Sequence, residues 1–163
     1  PLFNSQFKMV NEIEKEYNNL SKRYKLPKFR EIDSEFEIST LEDTRFLIKN
    51  ILRRISEKLE FYTELVSSLV HPDASSLSNM YEVRYFSDDE KNGIYKLFKK
   101  MMKINRSMIK AVLDGDEKGE ADFLNKFYKD WEDLKKELLV YIGKMKDSWE
   151  KQSTIEEDTA YFG

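Results

Sequence analysis

Acid–base chemistry without histidine falls to carboxylates, and this sequence sets three on one side of a helical segment. Glu57, Glu60 and Glu64 follow an i, i+3, i+7 spacing. Such groups become catalytic when a cleft and unequal surroundings drive their proton affinities apart. Lys49, Arg53 and Lys58 stand on the same segment, the pattern of ordinary surface ion pairs. A second cluster, Asp114-Gly115-Asp116 through Asn125, follows a calcium loop in part. Asp114, Asp116, Gly119 and Asp122 occupy loop positions 1, 3, 6 and 9 of an EF-hand. Lys118 stands where an oxygen ligand belongs, and Asn125 replaces the bidentate glutamate, so the segment reads as an interhelical turn and no metal is expected.

The third cluster is basic. Between Ile94 and Leu113 there are six cations and no acid: Lys96, Lys99, Lys100, Lys103, Arg106 and Lys110. At about 100° per residue they fall between about 280° and 40° when Lys96 is zero. Ile94, Leu97, Phe98, Met101, Ile104, Met108, Ile109 and Val112 centre on the opposite side. The stripe from Lys96 to Lys110 is about 21 Å long, enough to meet several nucleic-acid phosphates, anionic lipid or an acidic protein. No aromatic residue is expected among these lysines on that face, so base stacking is not suggested. The competing expectation is a solvated face that pairs with acids of a neighbouring helix.

The remaining inventory is sparse. With no Cys and one His in 163 residues, thiolate zinc sites, iron–sulfur clusters, cysteine nucleophiles and two-histidine metal sites are excluded within one chain. No phosphate-binding loop, dinucleotide-binding turn or nucleophile elbow occurs. His71, before Pro72, is expected to meet the last free carbonyls of a helix. No cofactor is expected. A net charge of −3 argues weakly against a general nucleic-acid binder. No apolar run reaches the 18 or so residues of a membrane span. The start, Pro1-Leu2-Phe3-Asn4-Ser5-Gln6, has no basic region followed by an apolar stretch, and the expected location is cytoplasmic.

The elements that position these groups are helical. Prolines stand only at positions 1, 27 and 72, which favours long helices over a sheet with many turns. Phe3, Phe7, Val10, Ile13, Tyr17, Leu20 and Tyr24 recur by threes and fours, one face of a helix over 3–24. Pro27 ends it and opens a short helix edged by Phe29, Ile32 and Phe36. Ser39 and Glu42 match a capping box for a helix of about thirty residues that carries Ile48 to Leu69 and spans about 45 Å. The connection 71–87 is too apolar for a solvated loop. A short helix over 77–85 would put Leu77, Met80, Tyr81 and Tyr85 on one side. Met80, Tyr81, Tyr85 and Phe86 are expected to cover one end of the molecule, with an exposed partner-binding patch as the alternative. Ser87 and Glu90 form a second capping box, for a helix to Leu113. The last helix, 118–151, repeats Leu124, Trp131, Leu138 and Met145 every seven residues, with Trp149 continuing the seam. Gly143 within it suggests a close neighbouring helix.

Residues 153–163 lack helical periodicity and read as an acidic tail with terminal aromatics, either docked on the helices or disordered. Gln152, Ile155 and the Tyr161-Phe162 pair resemble the peptide that docks on sliding clamps. The pair stands six residues after Ile155, where that motif has it at three.

The expected fold is all-α: an elongated antiparallel bundle of four long helices with one or two short connecting helices, over residues 1–152, followed by the tail 153–163. The expected function is a non-enzymatic binding or scaffold protein working through protein–protein contacts. The alternative is an RNA- or ribosome-associated protein that uses Lys96 to Lys110. An enzyme built on carboxylates is the third reading, and a homo-oligomer stays open.

Overall fold

A computed structural model describes residues 2–151, with side chains from Val10 onward except Asn11. Ile155, Tyr161 and Phe162, the three tail positions singled out above, lie outside the described residues. The chain forms α1 (Leu2–Tyr24), α2 (Phe29–Phe36), a 3-10 turn (Ile38–Thr40), α3 (Leu47–Val70), α4 (Leu77–Val83), α5 (Asp88–Asp114) and α6 (Glu117–Ser148). Among the described residues there is no strand, and the helices pack on one another as an all-α bundle.

The pairing follows from which stripes are apolar. On α3, Leu47, Ile48, Ile51, Leu52, Ile55, Leu59, Val66 and Leu69 are all buried. They meet Ile94, Leu97, Met101 and Met108 of α5 and the seam of α6. Helix α5 runs antiparallel to α3, with Asn105 Nδ2 donating to Ser56 Oγ at 3.5 Å and His71 edge-on to Phe98 at 6.1 Å. Helix α6 runs antiparallel to α5: Lys100 meets Glu137 at 2.7 Å and Lys144 meets Glu90 at 2.5 Å. It is therefore parallel to α3, and Lys49 meets Glu120 at 3.7 Å. The expected seam is present, with Leu124, Trp131, Leu138 and Met145 buried. Trp149 leaves it: α6 ends at Ser148, and the Trp149 ring stacks on Tyr81 at 4.6 Å while its indole N–H donates to Glu82 at 2.7 Å.

The two capping boxes had different fates. At Ser87 the box is complete: Ser87 Oγ accepts from the Glu90 N–H at 3.3 Å, and Glu90 Oε2 accepts from the Ser87 N–H at 2.7 Å. The Ser39–Glu42 box does not form. The Ser39 N–H instead donates to Asp33 Oδ1 at 2.7 Å, and Ile38 is completely buried, which holds Ser39 in the turn after α2. Helix α3 starts only at Leu47, behind Phe46 at φ 52°, and its 24 residues span about 36 Å rather than 45. Pro27 also stands outside α2, whose N-cap is Lys28. The broken turn is held from α1, where the Tyr17 hydroxyl donates to the Pro27 carbonyl at 2.8 Å and Ser21 Oγ to the Leu26 carbonyl at 3.0 Å.

Close approach occurs at a different glycine from the one expected. A Cβ on Gly143 would meet nothing within 4 Å, whereas a Cβ on Gly93 would collide with the Tyr141 hydroxyl. Gly93 lets α6 lie against α5 near its N-terminus.

Two stability measurements check this packing. Leu138→Ala should cost about 2–5 kcal/mol, as loss of a buried leucine does; a thermal melt without loss would mean that the seam does not face the core. Ser87→Ala should cost about 1 kcal/mol, as loss of an N-cap does, while Ser39→Ala leaves the melt nearly unchanged. Equal losses at both sites would contradict the different roles of the two serines.

Candidate functional site

Helix α5 turns its apolar face inward through Ile94, Leu97, Met101 and Met108, and this places the basic stripe outward. Lys96, Lys99, Lys103 and Arg106 are exposed, and none of them has an ion pair among the described residues. The Arg106 guanidinium donates to Asn105 Oδ1 at 2.7 Å, and the Lys99 ammonium lies 5.6 Å from the Tyr95 ring centre. The other two cations are paired. Lys100 binds Glu137 of α6 at 2.7 Å, and Lys110 binds Asp114 one turn on at 2.8 Å. The expectation of a face without aromatics needs one correction: Tyr95, 48% exposed, borders the lysines.

The stripe is flanked by two depressions. Toward α6, a hollow of about 240 Å³ has Ile104, Phe123 and Phe127 in its floor and Lys100, Lys103, Lys126 and Asp130 around it. Toward α3, a larger groove of about 650 Å³ carries Glu57, Glu60 and Glu64 along its α3 side and Arg106 on its α5 side. The structure thus brings the three expected carboxylates to one groove. Their partners are local: Glu57 pairs with Arg54 at 3.7 Å, and Glu60 accepts from Ser56 at 3.4 Å. The basic group on the opposite side of the groove, Arg106, is exposed rather than buried.

The apolar connection is anchored through Asn79, which donates to the Ser68 carbonyl at 2.8 Å and accepts from the Asp73 N–H at 2.6 Å. Phe86 and Val83 are buried, whereas Met80, Tyr81 and Tyr85 are half-buried. Leu77 does not share their side; it is 67% exposed. Tyr81 donates to the Ser148 carbonyl at 3.0 Å, and Arg84 lies over the Tyr81 and Tyr85 rings. The hydrogen bond between the Tyr85 and Tyr81 hydroxyls at 3.1 Å, and then the one that Arg84 donates, hold the Tyr85 phenol below its ordinary range.

Other expected donors have structural duties. The Asp116 carboxylate caps α6 through the N–H groups of Lys118 and Gly119, both at 3.2 Å. His71 does not cap α3 with its ring. Its backbone N–H donates to the Ser67 carbonyl at 2.8 Å, and the ring packs against Phe98. Among the described residues no group of three or more His, Cys, Asp or Glu is placed to hold a metal ion, and no helix is long and apolar enough to cross a membrane.

Sequence reasoning missed two charged nodes. Glu35 of α2 accepts from Trp131 Nε1 at 2.9 Å and Lys135 at 2.7 Å on α6, and the Lys58 ammonium of α3 donates to its carbonyl. Burial pushes the Glu35 carboxyl up, but the bonds from Lys135 and Trp131 outweigh it and hold it below its ordinary range. Glu120 of α6, 4% exposed, has one carboxylate oxygen without a hydrogen bond. Burial pushes its carboxyl up, against the Lys49 ammonium. Neither node has a sequence signal, because each partner comes from another helix.

Comparison with protein-family models, curated proteins and solved structures found no match to this chain.

The charges bordering the site set an acid dependence. The Lys144 ammonium, with the capping bonds at Ser87, brings Glu90 down to about 2 from an ordinary 4.5. A lowered carboxyl contributes stability above about 4.5, and that contribution is lost as pH falls toward 2. Glu120 has the opposite sign: its raised carboxyl favours the folded state at low pH, and that advantage is lost as pH rises past the ordinary glutamate value. Glu120→Gln should therefore raise the melting temperature at pH 7.5, with the gain shrinking by pH 4. Thermal melts across that range check this; a loss at pH 7.5 that shrinks by pH 4 would show instead that the ion pair with Lys49 outweighs the burial cost.

Proposed function

We propose that this chain is a non-enzymatic binding protein that engages an acidic surface of a partner protein through the outward face of α5. The observation that carries the reading is the unpaired state of Lys96, Lys99, Lys103 and Arg106 among the described residues. Four cations held on one rigid helix, with Lys100 and Lys110 beside them, form a fixed positive surface about 15 Å long from Lys96 to Arg106. Surface ion pairs contribute little to stability, so leaving these four unpaired has little effect on the fold and keeps them available for a partner. The absence of Cys and the single His at a helix end support a binding role over catalysis.

A second reading, RNA binding through the same cations, is favoured by their exposure. It is placed second because acids border the stripe on both sides: Glu57, Glu60 and Glu64 on α3, Asp130 and Glu137 on α6. A wide polyanion laid on α5 would meet those carboxylates.

Binding of a fluorescent polyglutamate peptide and of an oligouridylate, followed against salt, separates the two readings. The peptide should bind at low salt. The triple change Lys99→Glu, Lys103→Glu, Arg106→Glu should abolish binding with the melting temperature nearly unchanged. Oligouridylate binding alone, with a log–log salt slope of about −2 to −3.5 for roughly three to five contacts, would replace the protein reading with the RNA reading. No binding of either probe at low salt would remove both.

A further inference from the structure

The groove between α3 and α5 has walls of opposite sign that do not close on each other. Glu57, Glu60 and Glu64 stand on one wall and Arg106 on the other, yet no ion pair crosses the groove. Arg106 turns to its neighbour Asn105, and Glu57 turns to Arg54 on its own helix. The two walls are therefore held apart, and the space of about 650 Å³ between them is open.

The groove also has an apolar line. Tyr95, Phe98, Met102, Ile109 and Leu113 lie within about 60° of one another on α5, on its side toward α3. Phe98 and Met102 line the groove floor, half-buried. Tyr95, Ile109 and Leu113 are 48%, 42% and 79% exposed, and Phe61 on the α3 side is 66% exposed. From Tyr95 to Leu113 this line runs about 27 Å. Scattered exposed apolar residues are ordinary. Here Phe61, Phe98 and Met102 line the groove, and Tyr95, Ile109 and Leu113 extend the same side of α5 beyond it; exposed apolar residues gathered beside an open groove mark a surface that a partner covers.

We infer that this groove receives an amphipathic α-helix of a partner protein, about five turns long, with an acidic flank against Lys99 and Arg106 and a basic flank against Glu57, Glu60 and Glu64. The inference rests on the proposed role of the α5 face and names its partner. Charge complementarity selects the flanks, because a helix with two like-charged flanks puts one of them against a wall of its own sign. The backbone selects the helix. The described part of the chain is helical and offers no strand edge to pair with an extended peptide, so the occupant satisfies its own N–H and C=O groups. Its apolar residues at i, i+3/4 and i+7 meet the line from Tyr95 to Leu113. The two walls also fix direction, since reversing a helix end to end exchanges its left and right flanks.

The test uses the full chain and synthetic helical peptides of 18 residues with a leucine stripe. One peptide has a glutamate flank and a lysine flank, one has two glutamate flanks and one has two lysine flanks. The mixed peptide should bind about tenfold more tightly than either of the others. Phe61→Ala and Leu113→Ala, both at exposed positions, should weaken it without changing the circular dichroism spectrum. Lys99→Glu with Arg106→Glu should transfer the preference to the peptide with two lysine flanks. The sequence has no cysteine, so Asn92→Cys, exposed on α5 six residues before Phe98, provides a single labelling site. A spin label there should approach one end of the mixed peptide and the other end of its flank-inverted version. Equal binding of the mixed and two-glutamate peptides, insensitive to Phe61 and Leu113, would overturn the groove inference and leave the basic-face reading standing. Binding of oligouridylate with no peptide binding would overturn the groove inference in favour of RNA. Self-association abolished by Leu113→Glu would overturn it in favour of a second copy of the chain. Failure of every probe would remove the inference together with the reading beneath it.

Discussion

The burial of one helix on two others governs this molecule. Helix α3 has eight buried apolar side chains, and no single partner helix has a stripe wide enough to cover them. It is therefore packed between α5, which runs antiparallel to it, and α6, which runs parallel to it. The chain must reverse twice to deliver those directions. The second reversal takes two residues, Gly115 and Asp116, with the glycine at φ 67° ending α5 and the aspartate capping α6. The first takes the whole connection through α4, which is anchored to the end of α3 by Asn79 and to the end of α6 by Tyr81. The remaining elements, α1 and α2, are tied on by specific polar bonds: Glu35 to Trp131 and Lys135, and Tyr24 to Glu117 at 2.8 Å.

Much of this order was legible in the sequence because periodicity records which side of a helix is buried. The seven-residue recurrence from Leu124 to Met145 and the three–four spacing on α3 read correctly, since each stripe faces a core made of similar stripes. Helix starts were less legible, and the two Ser-x-x-Glu boxes show why. A capping box states what two side chains can do once the backbone is in place. At Ser87 nothing competes for that backbone. At Ser39 the Asp33 carboxylate takes the N–H and the burial of Ile38 fixes the turn, so tertiary contacts override a good local signal. The same reasoning applies to the glycines. Gly143 is the more conspicuous in sequence, inside a heptad seam, but the close contact falls at Gly93, whose neighbour Tyr141 belongs to another helix.

The candidate surface divides along the same line. The basic stripe lies on one helix, and angles at 100° per residue place Lys96, Lys99, Lys103 and Arg106 together before any tertiary information. The groove lies between two helices. Glu57, Glu60 and Glu64 read as a surface run on α3, and Phe98 reads as core on α5. Only the antiparallel placement of the two helices brings those residues to one depression. Tyr95 and Leu113 carry no such signal, and the structure leaves both exposed.

The conformation of the first connection has a consequence for how the molecule comes apart. Lys25, Glu37 and Phe46, the non-glycine residues with positive φ among those described, fall within one stretch of 22 positions. Each bears a side chain where glycine is the comfortable residue, at a cost of about 1–2 kcal/mol. That stretch is also where the backbone depends on side chains, on Tyr17, Ser21 and Lys58 from elsewhere and on its own Asp33, rather than on uninterrupted helix. Strain lowers the free energy of local opening, while the burial of Leu26, Phe29, Ile32, Phe36 and Ile38 raises it. The segment from Lys25 to Phe46 would thus open as one unit, strained backbone and buried side chains together. Its amides outside α2 would exchange with solvent ahead of those in the paired helices α3, α5 and α6, while the face built on α3 and α5 still holds its shape.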